Sequence, residues 1–238
     1  MSKLMLSPVK ALLSLLLVMF TFGSPFALAE EQQAEQKQTA ANPWKQVRER
    51  NGVTVFNRRI PGIAFKEFMA ETVVEADLHT LIAVFNDAPA GVEWVENVDE
   101  MRQLDQLSEN ETITYTYSKA PWPVSDRDAV VHNRITQDPR TLAVTIQQRG
   151  VPEHIAKVKG AVRVPSLSSS WIFTPQDDGT THVRYQVLTN PGGNLPAWLI
   201  NAVSVSQPYK TLRGLQEIVL LEQYQNVEIA FIENGQGK

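Results

Sequence analysis

The sequence predicts an α+β fold in which an antiparallel β-sheet packs against one long helix at the C-terminal end. Between residues 53 and 187, apolar and polar residues alternate in several short runs, and turn signals separate these runs. From residue 198 onward the apolar residues recur at steps of three and four, which is the spacing of an amphipathic helix. Because short turns connect most of the strands, we expect neighbouring strands to pair in antiparallel fashion.

The first 29 residues have the organisation of a secretory signal peptide. A start with two lysines precedes an apolar run over 11–22, and Ala-Leu-Ala ends at Ala29, directly before Glu30. An uncleaved membrane anchor is the alternative interpretation, but this run is shorter than the roughly 20 apolar residues that span a bilayer. We therefore expect cleavage between Ala29 and Glu30 and an exported, periplasmic protein. Residues 30–42 are polar and repetitive, and we expect them to form a disordered linker.

Charge and cysteine content narrow the classes of partner. The signal peptide carries two of the 22 basic residues and none of the 26 acidic ones, so its removal changes the formal net charge from −4 to −6. An acidic protein without a basic cluster is a poor match for nucleic acid and for strong docking on anionic lipid surfaces. The chain contains no cysteine, so neither a disulfide framework nor a lipid-modified cysteine anchor is available. An apolar core must therefore supply the stability.

We expect one folded domain over residues 43–228, with a short C-terminal tail over 229–238. Alternation, turn residues and helix caps predict its elements in chain order. They are a short helix around Trp44 and Val47, a turn at Asn51-Gly52, strands from Val53 and over 65–74, a helix over 78–85 capped by Asp77, a short helical piece around Trp94, strands over 112–117, 142–146, 161–164, 169–173 and 183–187, and a helix over 198–219. Pro208 lies inside the last helix and should kink or split it.

The most informative stretch is APWPVSDRD, at residues 120–128. The two prolines beside Trp122 fix the backbone angle φ and remove two hydrogen-bond donors, so we expect a stiff, extended corner. A strand from Val124 to Ile135 should follow, with Arg127 among its charged residues. Taken alone, the stretch is equally compatible with an ordinary corner that packs the Trp122 indole on the edge of the core.

A second cluster downstream gives this stretch a family context. It contains W-I-F-T-P at 171–175, G-T-T-H-V-R-Y at 179–185 and PGGNLPAWL at 191–199. The order and spacing of the two clusters resemble the START domain, a family within the Bet v 1-like or polyketide-cyclase-like superfamily, over Trp44 to Asn226. This chain has Asn190 where the family often has Asp before PGG. The resemblance implies a helix-grip fold, with a curved antiparallel β-sheet wrapped around a long C-terminal α-helix and an internal apolar cavity that holds one lipid.

Strand alternation and helical spacing identify residues that could face such a cavity. The candidates are Tyr115, Tyr117, Arg127, Ala129, Val131, Asn133, Val144, Trp171, Tyr185, Trp198 and Ala202. For the aromatic residues, packing in the core is the alternative. Arg127 would be a lone cation in an apolar cavity, which is costly without a partner. It should therefore either pair with an acid such as Asp126 or Asp128, or bind the head group of a ligand.

A closed cavity needs a gate before it can exchange a ligand. One candidate is the loop that begins at Gly150, Val151 and Pro152. The other is the start of the last helix beside Gly192 and Gly193, where glycine gives the backbone the freedom of a hinge.

The sequence offers no catalytic or metal-binding constellation, so we expect no enzyme activity, no cofactor and no metal. The four histidines stand singly, and a nucleophile elbow is missing. The main prediction is a protein that binds a lipid or other hydrophobic small molecule, transfers it through an aqueous compartment and contacts membranes only briefly. The alternatives are a cavity enzyme of the polyketide cyclase or hydrolase type, using a buried tyrosine, Arg127 and His132, and an interaction module whose own side chains fill the cavity. The sequence leaves the oligomeric state open, although a monomer is favoured.

Overall fold

The computed structural model describes residues 42–120, 122, 124–193, 195 and 197–234, without the side chains of residues 197–199 and 201–204. The predicted signal peptide, the cleavage site at Ala29 and Glu30, and the linker up to residue 41 lie outside the described residues. These three features therefore stay predictions.

Ten strands of the described chain form one sheet with an almost entirely antiparallel topology. The strand order is β1-β2-β3-β10-β9-β7-β6-β5-β4, and the short β8 pairs with β6 in parallel. The strands are β1 (Lys45–Arg50), β2 (Val53–Arg59), β3 (Lys66–Val74), β4 (Val98–Ser108), β5 (Glu111–Ser118), β6 (Asp126–Gln137), β7 (Val144–Gly150), β8 (Ala161–Arg163), β9 (Ser166–Pro175) and β10 (Thr181–Asn190). The predicted antiparallel sheet is confirmed.

Three α-helices and one 3-10 helix accompany the sheet in the described residues. They are α1 (Leu78–Asn86), α2 (Gly91–Trp94), α3 (Ala197–Ile218) and the 3-10 helix at Glu222–Tyr224. The predicted cap of α1 is confirmed, because Asp77 Oδ1 accepts a hydrogen bond of 2.8 Å from the Thr80 N–H. The helix α3 runs through Pro208 without being split, since its buried face packs on the sheet and this packing offsets the missing hydrogen bond.

The core lies between α3, α1 and the facing side of the sheet. Tyr209, Leu212 and Leu215 of α3 are buried against residues such as Val53 and Val55 of β2. This is the amphipathic face that the sequence predicts for the last helix. None of the described helices is long and apolar enough to cross a membrane.

Two elements at the ends of the domain differ from the sequence prediction. The predicted helix around Trp44 and Val47 is wrong, because this segment forms β1 and pairs with β2 across the turn at Asn51-Gly52. Both turn residues have positive φ angles, of 52° and 73°, which a tight hairpin requires. The predicted C-terminal tail is also part of the domain as far as residue 234, because Ile229 and Ile232 pack on the core.

Candidate ligand-binding cavity

A cavity of about 370 Å³ lies between the sheet and the three helices. Strand β6 forms the centre of its wall. Every second residue of β6, from Arg127 through Ala129, Val131 and Asn133 to Ile135, lines the cavity. The sequence predicts this parity correctly for the first four residues. Since a strand rises about 3.3 Å per residue, the wall extends roughly 26 Å from Arg127 to Ile135. We call the end at the half-buried Arg127 the mouth and the end at the buried Ile135 the inner end.

The inner end of the cavity is aromatic. The rings of Trp171 and Tyr185, two predicted cavity residues on paired strands, stack with centroids 4.0 Å apart and planes inclined by 16°. Phe85 and Trp94 pack edge-on or tilted against this pair, with centroids 4.9 Å and 5.8 Å from that of Trp171. Burial raises the pKa of Tyr185 well above its ordinary value, so its hydroxyl remains protonated and neutral.

A row of polar side chains crosses the wall next to the aromatic end. Asn133, Gln148 and Ser169 occupy facing positions on β6, β7 and β9, where the strand register aligns them. Gln148 Nε2 donates to Asn133 Oδ1 at 2.8 Å, and Gln148 Oε1 accepts from Ser169 Oγ at 2.8 Å and from Trp171 Nε1 at 3.1 Å. Asn133 Nδ2 completes the row by donating to Thr112 Oγ1 at 3.2 Å. The amide groups of this row are therefore satisfied within the protein.

Arg127 closes the row of β6 residues at the mouth. Its guanidinium donates to the carbonyl of Ser125 and to those of Pro191 and Gly192, both at 3.4 Å. Desolvation lowers the pKa of Arg127, and the neighbouring Asp126 opposes this shift. The partners of this cation are therefore backbone carbonyls, one from Ser125 and two from the loop before α3. Its role in recognising a ligand head group stays a prediction.

The two acids that the sequence offers as partners of Arg127 are engaged elsewhere. Asp126 accepts hydrogen bonds from Tyr117 Oη at 2.7 Å and from the Ala120 N–H at 2.9 Å. Asp128 lies on the face of the sheet opposite the cavity and binds Arg163 at 2.8 Å, with both side chains almost fully buried. An ion pair between Arg127 and Asp126 or Asp128 is therefore not formed.

Tyr115 and Tyr117 do not line the cavity, so this part of the site prediction is wrong. Tyr115 packs with Ile113 and Val130 on the opposite face of the sheet, and Tyr117 packs at the edge of the same cluster. The threonines that alternate with them, Thr112, Thr114 and Thr116, line the cavity instead. The more apolar face of a strand usually points to the interior of the domain. On β5 it points outward, because the loop after β7 covers this outer face and buries it.

The first predicted gate lies on the face of the sheet opposite the cavity. Val151 and the following loop residues Ile155 and Val158 pack on the outer cluster, across the sheet from the cavity. Arg163 fastens this loop by donating to the carbonyls of Pro152, Ile155 and Ala156. Gly150 pairs with Val131 as the last residue of β7. This position lends the gate role no support, and the role stays a prediction.

The second predicted gate lies beside the mouth. Gly192 and Gly193 have φ angles of 67° and 70°, and Pro191 and Leu195 on either side line the cavity. Asn190 Oδ1 accepts a hydrogen bond of 3.0 Å from the Gly192 N–H, so the amide oxygen provides the acceptor that a family aspartate would offer. The hinge role of these glycines stays a prediction.

The remaining predicted cavity residues have different outcomes. Val144 is fully buried in the main core and does not line the cavity. Trp198 and Ala202 belong to α3, but their side chains lie outside the described residues.

Several cavity residues were missed from the sequence. Gln148 and Thr189 share the inward parity of Ile146 and Tyr185, so strict alternation along β7 and β10 could have identified both. Trp94 was assigned only to a short helix, and no local pattern indicates that its ring lines a cavity.

Comparison with known proteins agrees with this architecture. The START domain family model matches residues 26–219. An uncharacterized protein of Pseudomonas aeruginosa is 35% identical over 74% of this chain and 86% of its own length. Human phosphatidylcholine transfer protein is 25% identical over 70% of this chain and 79% of its own length. The crystal structure of a STAR-related lipid transfer protein fragment from Xanthomonas axonopodis is similar with a TM-score of 0.70 and 30% identity, covering 75% of this chain and 99% of the fragment. The chain therefore belongs to the START domain family.

Proposed function

We propose that this protein binds one lipid or other hydrophobic small molecule in the cavity and carries it through an aqueous compartment. The observation that carries the proposal is the cavity of about 370 Å³ between the sheet and α3, walled mainly by apolar and aromatic side chains. Similar proteins whose names state phosphatidylcholine transfer and lipid transfer support it.

Burial of hydrocarbon in such a cavity gives useful affinity. A buried methylene contributes about 0.8 kcal/mol, so about ten methylenes contribute roughly 8 kcal/mol before the entropic cost of association is subtracted. A free energy of about 8 kcal/mol alone corresponds to a micromolar complex, so the net affinity after this cost is weaker than micromolar. A carrier needs such an intermediate affinity, because it must both hold and release its ligand.

Binding without catalysis fits the position of the residues that an enzyme would use. His132 alternates with Val131 and Asn133 on β6 and therefore faces away from the cavity. Its Nε2 lies 3.0 Å from Glu111 Oε2 on the outer face. The predicted enzyme set of a buried tyrosine, Arg127 and His132 is thus not brought together.

Export to the periplasm is part of the proposal. It is supported by the signal-peptide pattern of residues 1–29, which ends in Ala29 before Glu30. A lipid carrier in this compartment would move its ligand between membranes through water.

Trp122 is a candidate for the brief membrane contact that transfer requires. Its side chain is 93% exposed, so the interpretation that it packs on the edge of the core is wrong. It follows Lys119 and Ala120 and precedes Val124, and all three of these residues line the cavity near the mouth. Tryptophan favours the interface between water and lipid, so this indole is suited to docking the mouth on a bilayer.

Native mass spectrometry of gently purified protein tests the binding function. A lipid that co-purifies and remains intact supports the proposal. Turnover of that lipid would show an enzyme instead, and a protein that is empty and indifferent to every added lipid would show an interaction module with a filled cavity.

A vesicle transfer assay tests the role of Trp122. The variant Trp122→Ser should slow transfer of a fluorescent lipid between vesicles without changing binding in solution. Leu107→Ser is the matched control, because Leu107 is also exposed, at 54%, but lies at the other end of the β4–β5 hairpin. Equal transfer rates for wild type and Trp122→Ser would contradict a docking role.

A further inference from the structure

The charged side chains that line the cavity differ in how they are partnered. Among the described residues, the acids and bases of the lining are Asp87, Glu96, Lys66, Lys119 and Arg127. Asp87 accepts hydrogen bonds from Tyr224 Oη at 2.9 Å and from the Ala90 N–H at 3.3 Å. Glu96 Oε1 lies 2.6 Å from Lys210 Nζ. Both negative charges of the lining are therefore already engaged within the protein.

Two of the three bases, Lys66 and Arg127, have no acidic partner in the described part of the chain. Glu67, the acid next to Lys66, binds Arg58 instead. The partners of Arg127 are three backbone carbonyls, which leave its charge without a counter-charge. Desolvation lowers the pKa of Arg127, so its guanidinium is partly withdrawn from water. Two positive charges of the cavity wall are thus available to an anionic ligand.

These two bases lie at the same end of the cavity. Arg127 Nε donates to the carbonyl of Pro191 at 3.4 Å, in the segment that follows β10. Lys66 has the inward parity of Phe68 on β3, and extending the β3–β10 pairing by two residues places it level with Thr189. Thr189 and Pro191 both line the cavity and, as second neighbours in the chain, are at most about 7 Å apart. Lys66 and Arg127 therefore flank the same segment beside the mouth.

Two hydroxyl groups without a partner lie on the strand next to Arg127. Ser118 of β5 pairs directly with Arg127, and Thr116 is the preceding inward residue of β5. Both line the cavity, and neither hydroxyl forms a hydrogen bond within the described residues. Both oxygens are accessible, since neither is one of the unpaired polar atoms that are fully buried. Deeper in the cavity, by contrast, the Thr114 hydroxyl accepts from Asn133 at 3.1 Å.

Two cations and two hydroxyls match the chemistry of a phosphate monoester. Such a group carries a charge of about −1.5 to −2 at pH 7 and three acceptor oxygens. It can therefore neutralise both bases and still accept from a hydroxyl. A carboxylate has one charge and two oxygens, so it would leave one of the two bases without a counter-charge. The stacked rings of Trp171 and Tyr185 at the inner end offer no charge and suit hydrocarbon.

We propose that the mouth of the cavity binds the phosphate of a lipid phosphate monoester, with Lys66 and Arg127 supplying the charge and Thr116 and Ser118 the neutral donors. This inference rests on the proposed lipid-binding function and narrows its ligand class. The phosphate lies at the mouth, and the hydrocarbon chain extends along β6 towards the inner end.

Two lipids that differ only by the phosphate test this assignment. The probes are 1-oleoylglycerol 3-phosphate and 1-oleoylglycerol. Purified protein is incubated with an equimolar mixture, and native mass spectrometry gives the ratio of protein bound to the phosphate lipid to protein bound to the neutral lipid. Charge-assisted hydrogen bonds should give the wild type a ratio of at least about ten. A ratio near one, with both lipids bound, would overturn the phosphate site.

The variants Lys66→Gln and Arg127→Gln should each lower this ratio by about three- to tenfold, because each removes one charge from the phosphate. Lys119→Gln is the matched control. Lys119 also lines the cavity, but its Nζ lies 3.6 Å from both Asp99 and Asp126, so its charge is already neutralised and the wild-type ratio should remain.

Lys66→Gln keeps the test independent of the loop contacts that Arg127 makes. The Lys66 side chain forms no hydrogen bond within the described residues, so its replacement should leave the fold unchanged. The wild-type ratio in Lys66→Gln would overturn the proposed site. An equal fall in Lys66→Gln and Lys119→Gln would show a general effect of positive charge and would overturn it as well.

Two further competitors separate the possible sources of negative charge. Inorganic phosphate at the concentration of the lipid should leave 1-oleoylglycerol 3-phosphate bound, because the free ion has no chain to bury. Its displacement would assign the site to free phosphate and overturn the lipid assignment. Oleate should bind less than the phosphate lipid, and preference for oleate would overturn the phosphate assignment in favour of a carboxylate. Failure of the wild type to bind any of these lipids would overturn the lipid-binding proposal itself.

Discussion

The buried ion pair of Asp128 and Arg163 lies on the face of the sheet opposite the cavity, where Arg163 also binds the loop after β7. Its contribution to stability can be tested quantitatively. Asp128 Oδ2 accepts from Arg163 Nη2 at 2.8 Å and from Nε at 3.1 Å, and the two side chains are 0% and 3% exposed. Arg163 also donates to three carbonyls of the loop after β7. The substitution Asp128→Asn keeps the shape of the side chain and removes the charge that neutralises the guanidinium.

The expected loss follows from burial and from the bonds that remain. Removal of one partner of a buried ion pair destabilises a protein by about 3–5 kcal/mol, because the other charge stays buried. Here the three carbonyls still accept from Arg163, so we expect a value near the lower end, about 3 kcal/mol. For a domain of this size the corresponding fall in Tm is roughly 6–12 °C. Urea unfolding followed by circular dichroism measures the free energy directly.

An exposed ion pair provides the matched control. Arg184 Nε and Glu71 Oε1 are 2.7 Å apart, but the side chains are 47% and 23% exposed. Since water screens such a pair, Glu71→Gln should cost no more than about 1 kcal/mol. If Asp128→Asn costs no more than Glu71→Gln, the buried pair does not hold the outer loop and our account of this wall is refuted.

Three further predictions concern the helix contact, the mouth and acid stability. Gly214→Ala should lower the free energy of unfolding by about 1–3 kcal/mol, because the new methyl group meets backbone atoms of Trp94. Alanine has the better helix propensity, so equal stability in urea unfolding would contradict this close contact. Arg127→Leu should accelerate deuterium uptake at the loop around Gly192, since two loop carbonyls lose their donor, and unchanged uptake would show that they do not tether the loop. The pKa of Asp126 is lowered, first by the backbone N–H and then by the tyrosine hydroxyl that donate to its carboxylate. The ionised carboxylate therefore stabilises the folded state fully above the unfolded pKa of 3.8, and this stabilisation is lost as the pH falls through the lower folded pKa. Below pH 3.8 the free energy of unfolding should therefore fall more steeply with decreasing pH for wild type than for Asp126→Asn. Parallel curves for the two proteins would show that the Asp126 carboxylate does not stabilise the folded state in this way.

Alternation predicted most of the sheet but could not assign the faces of every strand. On β6 one face is lined by the cavity, so the parity of Ala129, Val131 and Asn133 was correct. On β5 both faces are covered, and the more apolar side chains of Ile113 and Tyr115 face the outer loop. Which of two buried faces holds a ligand depends on the path of a distant loop, and no local pattern contains that information.

The elements that were missed or mistaken lie at the edges of the sheet. Strand β4 is an edge strand with mostly exposed residues, so its sequence VDEMRQLDQLS shows no clear alternation. The other edge strand, β1, is equally polar, and its charged residues were taken for a helix. In both cases pairing with a neighbouring strand, rather than burial of an apolar face, determines the structure.

Only part of the cavity could be predicted from the sequence, because its chemistry depends on contacts between distant elements. The family resemblance implied a cavity, and Gly192 and Gly193 were predicted as one of its two gates. The position of Trp94 in the cavity wall, by contrast, results from the packing of α2 against α3 and against the rings of Phe85 and Trp171.

The loop after β7 makes the strand side of the cavity stiffer than the helical side. Strands β5 and β6 are backed by a second packed layer, formed by residues such as Val151 and Ile155 and fastened through Arg163. A strand wall supported from behind resists spreading when a bulky guest enters. Ligands of different volume should therefore be accommodated by movement on the helical side, beginning at the glycine pair before α3, while the strands keep their positions.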